Sequence, residues 1–174
     1  MFLEKAIKGF GDRVVEGARA NLKRKDKNAS GELSKSLGYD YLNRNQLYTI
    51  QFKKESYGKF IDKGVKGVGG KKADGSSWKT KKVFGSPYKY KNKKPPTSAF
   101  NGWTIRRGIA PRSKGGQFKK RKGLLFAIST SVYHTGLETT NFFTKPLENE
   151  LRTLSNKVLD AYSLDIDEIL KVSL

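Results

Sequence analysis

The sequence predicts an α+β fold in which N- and C-terminal helices pack on one antiparallel sheet, with a long basic Gly/Lys/aromatic insertion. Three observations predict this fold class. Apolar residues recur at helical intervals near both ends of the chain, they alternate between residues 39 and 52, and regular patterning is lost over residues 65–122. A chain of 174 residues has the length of one domain. We therefore expect a single domain, residues 1–174, that contains residues 65–122 (the basic segment) as an insertion or arm.

The first helix is predicted from Phe2 to Leu22. Its apolar residues recur every three or four positions and so share one helical face. They are Leu3, Ile7, Phe10, Val14, Ala18 and Leu22. Gly9, Gly11 and Gly17 lower the helix propensity of this stretch, so we expect packing to supply most of its stability.

Two strands joined by a hairpin turn are predicted next. Tyr39 and Tyr41 alternate with a polar residue, and the second strand places every other side chain on one apolar face. The residues on that face are Tyr48, Ile50 and Phe52. Residues 43–45, Asn-Arg-Asn, suit the turn.

The second half of the chain is predicted to return to the sheet and end in a helix. Residues 124–133, LLFAISTSVY, are interpreted as a buried strand, and residues 103–109 as a further strand. Thr144 is predicted to cap the last helix, with Pro146 in its first turn. The apolar face of this helix continues through Leu147, Leu151, Leu154, Val158, Tyr162 and Ile166.

Positive charge is concentrated in one part of the chain. Residues 63–123 hold 19 Lys or Arg and a single acid, Asp74, which gives +18 of the total net charge of +20. Repulsion among like charges opposes compaction unless something offsets it. We therefore expect the basic segment to bind a polyanionic partner.

Lys and Arg interleaved with aromatic residues can neutralise phosphates while the rings stack on bases, and they can equally bind an acidic protein surface. Both interpretations remain open from the sequence. The candidate residues for binding DNA or protein are Lys71, Lys72, Trp78, Lys79, Lys81, Lys82, Tyr88, Lys89, Tyr90, Lys91, Lys93, Lys94, Arg106, Arg107, Arg112, Lys119, Lys120, Arg121 and Lys122.

Catalytic and metal-dependent functions find little support. The chain has one histidine, His134, no cysteine, and no pair of acids in a recognisable acid/base arrangement, so we expect no catalytic residue, metal or cofactor. Residues 64–72 lack the Gly and Ser/Thr positions of a phosphate-binding loop and are interpreted as a flexible arm. No apolar run has the length of a membrane span and the N-terminus is unlike a signal peptide, so we expect a soluble intracellular protein without a membrane partner. We also expect no small-molecule substrate.

Three short elements match a family pattern. Residues 30–36, Ser-Gly-Glu-Leu-Ser-Lys-Ser, match Thr-Gly-x-Leu-x-x-Ser, and residues 57–64, Tyr-Gly-Lys-Phe-Ile-Asp-Lys-Gly, match Tyr-x-x-Phe/Tyr-Val/Ile-Glu-x-Gly. Residues 142–147 match a Pro-Phe-Leu-like start of the last helix. In these elements the chain resembles the minor tail component, or tail-completion, family of tailed bacteriophages. It departs from the pattern at Ser30, at Asp62 and at Pro146, which follows the aromatic residues.

The resemblance implies a non-enzymatic structural virion protein that forms a homo-oligomeric ring in the neck or tail, where head and tail join. It implies neighbouring neck or tail proteins as partners, and assembly in the host cytoplasm. The basic segment would then reach a neighbouring ring or line the channel through which genomic DNA passes. The charge by itself also suits a nucleic-acid-binding module such as a ribosome-associated protein, and a nuclease has no support beyond charge.

Overall fold

The chain forms an α+β fold, as predicted. The computed structural model describes residues 1–27, 30–45, 47–113 and 115–172. Along the chain the elements are α1 (Phe2–Arg24), α2 (Glu32–Ser36), β1 (Gly38–Arg44), β2 (Leu47–Lys53), α3 (Gly58–Lys63), β3 (Val65–Lys66), α4 (Ser98–Arg106), α5 (Arg121–Thr135), β4 (Gly136–Leu137) and α6 (Thr144–Val172).

These elements divide between two compact units. Unit 1 consists of Met1–Asn28, Glu32–Ser56 and Phe142–Leu174, and unit 2 consists of Ala29–Gly31 and Tyr57–Asn141. Unit 2 therefore includes the whole basic segment together with α3, α5 and β4.

In unit 1, α1 and α6 run antiparallel and pack along their length. The predicted apolar face of α1 is buried at Leu3, Phe10, Val14, Ala18 and Leu22, and Val15 is buried with them. Two glycines of α1 lie where the packing is closest. A Cβ at Gly11 would lie 2.7 Å from the Tyr39 ring, and one at Gly17 would lie 3.0 Å from Pro146. The glycines weaken α1 as an isolated helix but allow this close approach.

The hairpin β1–β2 packs on these helices through the ring of Phe52. The strands pair antiparallel with Tyr39 opposite Phe52. Side chains of β2 alternate between exposed and half-buried, as its sequence predicts. The Phe52 ring lies 6.1 Å from that of Phe10 in α1 and 5.3 Å from that of Phe143, which immediately precedes α6. One edge-to-face aromatic cluster thus joins the sheet to both helices.

A buried carboxylate from α6 caps the start of α1. Phe2 N–H donates to Asp165 Oδ1 at 2.6 Å, and Leu3 N–H donates to Oδ2 at 3.0 Å. The first N–H groups of a helix have no partner within it, and a negative charge there is favourable. The N–H groups of Leu3 and Phe2 hold the pKa of the Asp165 carboxyl below its ordinary value.

Four sequence interpretations are corrected. Residues 124–133 are not a strand, because they lie within α5, and the return strand β4 pairs with β3 over two residues only. Residues 103–109 are not a strand either, since Trp103 begins the second half of α4. Thr144 is the first residue of α6 rather than its cap, because Leu147 N–H already donates to Phe143 O. Residues 64–72 hold short strand pairs instead of a flexible arm.

The end of α3, which lies in the second family-like element, is capped by side chains from distant parts of unit 2. The hydroxyl of Thr140 donates to Ile61 O at 2.6 Å, and that of Thr139 donates to Lys63 O at 2.8 Å. The hydroxyl of Ser86 donates to Gly64 O at 2.7 Å. Carbonyl groups that a helix leaves unpaired at its C-terminus are thereby satisfied.

We predict that Asp165→Asn lowers the melting temperature of unit 1, whereas Asp167→Asn, which removes the same charge from an exposed position, does not. The pKa of Asp165 is depressed by folding, so its stabilisation is present above the unfolded pKa and is lost as pH falls through the folded pKa. Circular dichroism melts should show the deficit at neutral pH and its disappearance in acid. A deficit that is constant across this range would contradict the assignment.

We also predict that unit 1 folds alone when a short Gly/Ser linker replaces residues 57–141, because its two helices and hairpin bury their own apolar faces. Far-ultraviolet circular dichroism should show a helical protein with a cooperative thermal transition. Deleting only residues 65–122 should give a less cooperative protein, since α5 would remain without the segment that it packs against. Loss of the cooperative transition in the linker variant would refute the prediction.

Candidate polyanion-binding surface

Unit 2 carries nearly all of the net charge. Its main segment, Tyr57–Asn141, has 20 Lys or Arg and 3 acids, a net charge of +17, while unit 1 has 16 basic and 13 acidic residues. Among the predicted binding residues, every Lys and Arg is exposed except Arg121, which is half-buried. The three predicted aromatic residues are half-buried as well.

The first group of these cations lies on a short hairpin, residues 70–78, named hairpin A. Lys72 N–H donates to Ser76 O at 2.7 Å, and Gly75 N–H donates to Lys72 O at 3.0 Å. Trp78 N–H closes the hairpin on Gly70 O at 2.9 Å. The left-handed φ of 80° at Gly75 is one that glycine adopts without strain.

Asp74, the single acid of residues 63–123, is hydrogen-bonded within this turn. Its carboxylate accepts hydrogen bonds from the Ser76 hydroxyl at 2.6 Å and from the Ser76 N–H at 2.9 Å. These two bonds, the hydroxyl first, lower the pKa of the Asp74 carboxyl. The charge of Asp74 therefore stabilises the turn that presents Lys71 and Lys72.

A second hairpin, residues 111–119 (hairpin B), repeats the hydrogen-bond pattern of the first. Ser113 N–H donates to Gln117 O at 2.8 Å, Gly116 N–H donates to Ser113 O at 3.0 Å, and Lys119 N–H donates to Pro111 O at 2.9 Å. In the sequence, this repetition is visible only as a glycine at the fourth position of each turn. It was not identified from the sequence. Hairpin B presents Arg112 and leads into Lys119 and Lys120.

Helix α5 holds the basic segment through its polar side chains. Ser129 Oγ donates to Pro95 O at 2.6 Å, and the Tyr133 hydroxyl donates to Lys91 O. His134 Nδ1 lies 2.6 Å from Gly69 O. A carbonyl oxygen can only accept, so Nδ1 carries the proton in this contact. All three bonds end on backbone carbonyl oxygens.

The two hairpins attach at opposite ends of α5. At the C-terminal end, Gly69 N–H donates to His134 O at 3.0 Å, and the Trp78 ring stacks on the His134 ring with centroids 5.0 Å apart. At the N-terminal end, Lys120 alone separates hairpin B from the first residue of α5, Arg121. A helix of 15 residues is about 22 Å long, which sets the separation of the two attachment points.

The three predicted binding rings pack inside unit 2. Trp78 stacks on His134, and the Lys72 ammonium also approaches its ring, with Nζ 5.2 Å from the ring centroid. Tyr88 makes an edge-to-face contact with Phe60 at 4.8 Å, and Tyr90 lies 6.0 Å from Tyr133.

Three phenylalanine rings outside the predicted binding residues are the most exposed rings among the described residues of unit 2. Phe84, Phe118 and Phe126 have exposed fractions of 72%, 71% and 58%. Arg112 lies over Phe118 at 4.6 Å, and Lys94 lies over Phe126 at 4.9 Å. Their signal in the sequence was weak, because an exposed phenylalanine and a core phenylalanine look alike without the fold.

No three His, Cys, Asp or Glu side chains that could hold a metal ion lie together in residues 1–27, 30–45, 47–113 and 115–172. In the same described part of the chain, no helix is long and apolar enough to cross a membrane.

We predict that Gly67→Ala destabilises unit 2 by about 1–3 kcal/mol, the usual cost of overpacking. A Cβ at Gly67 would meet His134 O and lie 2.6 Å from Gly136 N. Gly123→Ala is the control, because nothing lies within 4 Å of its Cβ and alanine favours the helix. Both tryptophans lie in unit 2, so urea unfolding followed by tryptophan fluorescence measures this unit. Equal stability of the two variants would contradict the packing described for Gly67.

Comparison with known proteins does not assign a function to this surface. No protein-family model, curated protein sequence or solved structure matches the chain. The likeness to the tail-completion family therefore depends on the three sequence elements, and the function that it implies is a proposal.

Proposed function

We propose that the chain is a structural virion protein, a subunit of an oligomeric ring in the neck or tail of a tailed bacteriophage that acts in head-tail joining or tail completion. The observation that carries this proposal is an exposed apolar stripe along α6, which a neighbouring copy can cover. The three family-like sequence elements support it independently, and the basic segment would contact neighbouring subunits or the DNA channel.

Helix α6 has apolar residues on two adjacent faces. Leu154, Val158 and Ala161 lie on the face that packs in unit 1. The second face stays exposed, and its members (the α6 stripe) have exposed fractions between 39% and 65%. They are Leu151, Leu159, Tyr162, Ile166 and Ile169. Contiguous apolar surface of this kind is typical of a protein–protein contact.

Charge favours a second copy of the chain as the occupant of the stripe. Unit 2 carries +17 and repels unit 2 of another copy, whereas unit 1 is nearly neutral and can approach its own copies. Identical subunits that associate through such a surface commonly form closed rings when the contact is head-to-tail. A ring joined through unit 1 would also keep the basic units available for other partners.

The second candidate function is a nucleic-acid-binding module such as a ribosome-associated protein. The exposed cations of unit 2 favour it, because a monomer could bind RNA with the same surface. It gives no role to the α6 stripe. Cofractionation of a monomeric chain with ribonucleoprotein particles would support this alternative over the ring.

We predict that Leu159→Glu combined with Ile166→Glu abolishes ring formation without unfolding the chain, because two charges would have to be buried between copies. Light scattering after size exclusion and negative-stain electron microscopy should show rings for the wild type and monomers for the variant. Circular dichroism should be the same for both.

The matched control is Asn149→Glu with Asn156→Glu, which adds the same charge on exposed α6 positions away from the stripe. This control should still form rings. A wild-type chain that stays monomeric and is absent from phage particles, or a stripe variant that assembles normally, would overturn the proposal.

A further inference from the structure

We infer that unit 2 binds the phosphate backbone of double-stranded DNA without reading its sequence, through cations that hairpins A and B present at the two ends of α5. This inference rests on the proposed function, because it names the ligand that the basic unit of each ring subunit would bind. The binding itself requires a single chain only, so it is testable apart from ring formation.

The cations are available and partly ordered before any ligand arrives. Asp74 accepts two hydrogen bonds from Ser76, so the one acid within hairpin A serves the turn. Lys72 lies over Trp78, and Arg112 lies over Phe118. Side chains restrained in this way lose less conformational freedom on binding than free ones.

The packing of the rings favours a duplex over a single strand. Proteins that bind single strands stack bases on open aromatic faces. The ring of Trp78 is covered by His134 on one side and approached by Lys72, and Tyr88 and Tyr90 pack on other rings. Of the three exposed phenylalanine rings, Phe118 is approached by Arg112 and Phe126 by Lys94, so Phe84 is the ring that the comparison with a single strand tests. A ligand whose bases already stack on each other, and which offers only phosphates outward, fits such a surface best.

The size of the surface favours DNA over an acidic protein. The ends of α5 are about 22 Å apart, and a duplex carries one negative charge for every ~1.7 Å of its axis. A duplex carries on the order of a dozen charges over this distance, and those on the side that faces unit 2 are within reach of the two hairpins. Carboxylates at that density are unusual on a folded protein, because repulsion among like charges destabilises the compact state.

The experiment measures binding of the full-length chain to a labelled duplex of about two helical turns and to the same sequence as a single strand, by fluorescence anisotropy over a salt series. When the logarithm of the affinity is plotted against the logarithm of the salt concentration, each phosphate contacted should contribute about −0.9 to the slope. Two unrelated duplex sequences should bind equally well.

Two double variants test the cations on and beside the hairpins, where Lys79 follows hairpin A and Lys120 follows hairpin B, and a third is the control. Lys71→Gln with Lys79→Gln, and Lys119→Gln with Lys120→Gln, should each reduce the salt slope by about 2, since each removes two cations. These substitutions leave the cation–ring pairs of Lys72 and Arg112 intact. Lys23→Gln with Lys35→Gln removes the same charge from exposed positions of unit 1 and should leave the slope unchanged.

Each contrary outcome has a defined meaning. An equal loss in the control, or a salt response that no variant alters, would overturn the inference. Tighter binding to the single strand that is lost on Phe84→Ala would show base stacking on an exposed ring instead. Displacement of the duplex by polyglutamate at equal charge concentration would assign the surface to acidic protein. DNA binding by a monomer would leave the inference standing while the ring fails, and rings without DNA binding would do the reverse.

Discussion

The hydrogen bonds that α5 makes to the backbone of the basic segment are the interaction on which unit 2 depends. A segment rich in lysine and glycine buries too little apolar surface to collapse by itself, and its carbonyl groups must find donors. Ser129, Tyr133 and His134 supply them at Pro95, Lys91 and Gly69. Close glycine contacts at the β3–β4 pair then fix the chain where it leaves α5. Directed bonds to the backbone thus order this segment together with the packed rings of Trp78, Tyr88 and Tyr90.

Unit 1 is stabilised differently. Its core is apolar and aromatic, with Phe52 between the hairpin and both helices, and a single buried carboxylate, Asp165, ties α6 to the start of α1. Because acids and bases nearly balance there, its surface can meet a copy of itself. The properties that the proposed assembly and the proposed anion binding require therefore lie in separate units.

Long periodic elements could be predicted from sequence, and short or tertiary ones could not. The apolar faces of α1 and α6 and the alternation in β2 extend over enough residues to define their period. The run at 124–133 does not, because a short apolar stretch fits a buried strand and a helix equally well; the bonds of Ser129 and Tyr133 to distant carbonyls favour the helix. Gly67 is interpreted from sequence as part of a flexible arm because its close neighbours, His134 and Gly136, are remote in sequence. The candidate cations could be selected one by one from charge, but their arrangement on two similar hairpins depends on α5.

The bonds from α5 end on backbone oxygens, which every residue type possesses. The Tyr133 bond to residue 91 would therefore survive replacement of the lysine there, whereas Gly67 or His134 has no equivalent substitute. Outward charges in unit 2 are free to drift over evolutionary time while the residues that hold the backbone are constrained. Selection can thus retune the strength of the surface toward a new partner one cation at a time without passing through an unfolded intermediate.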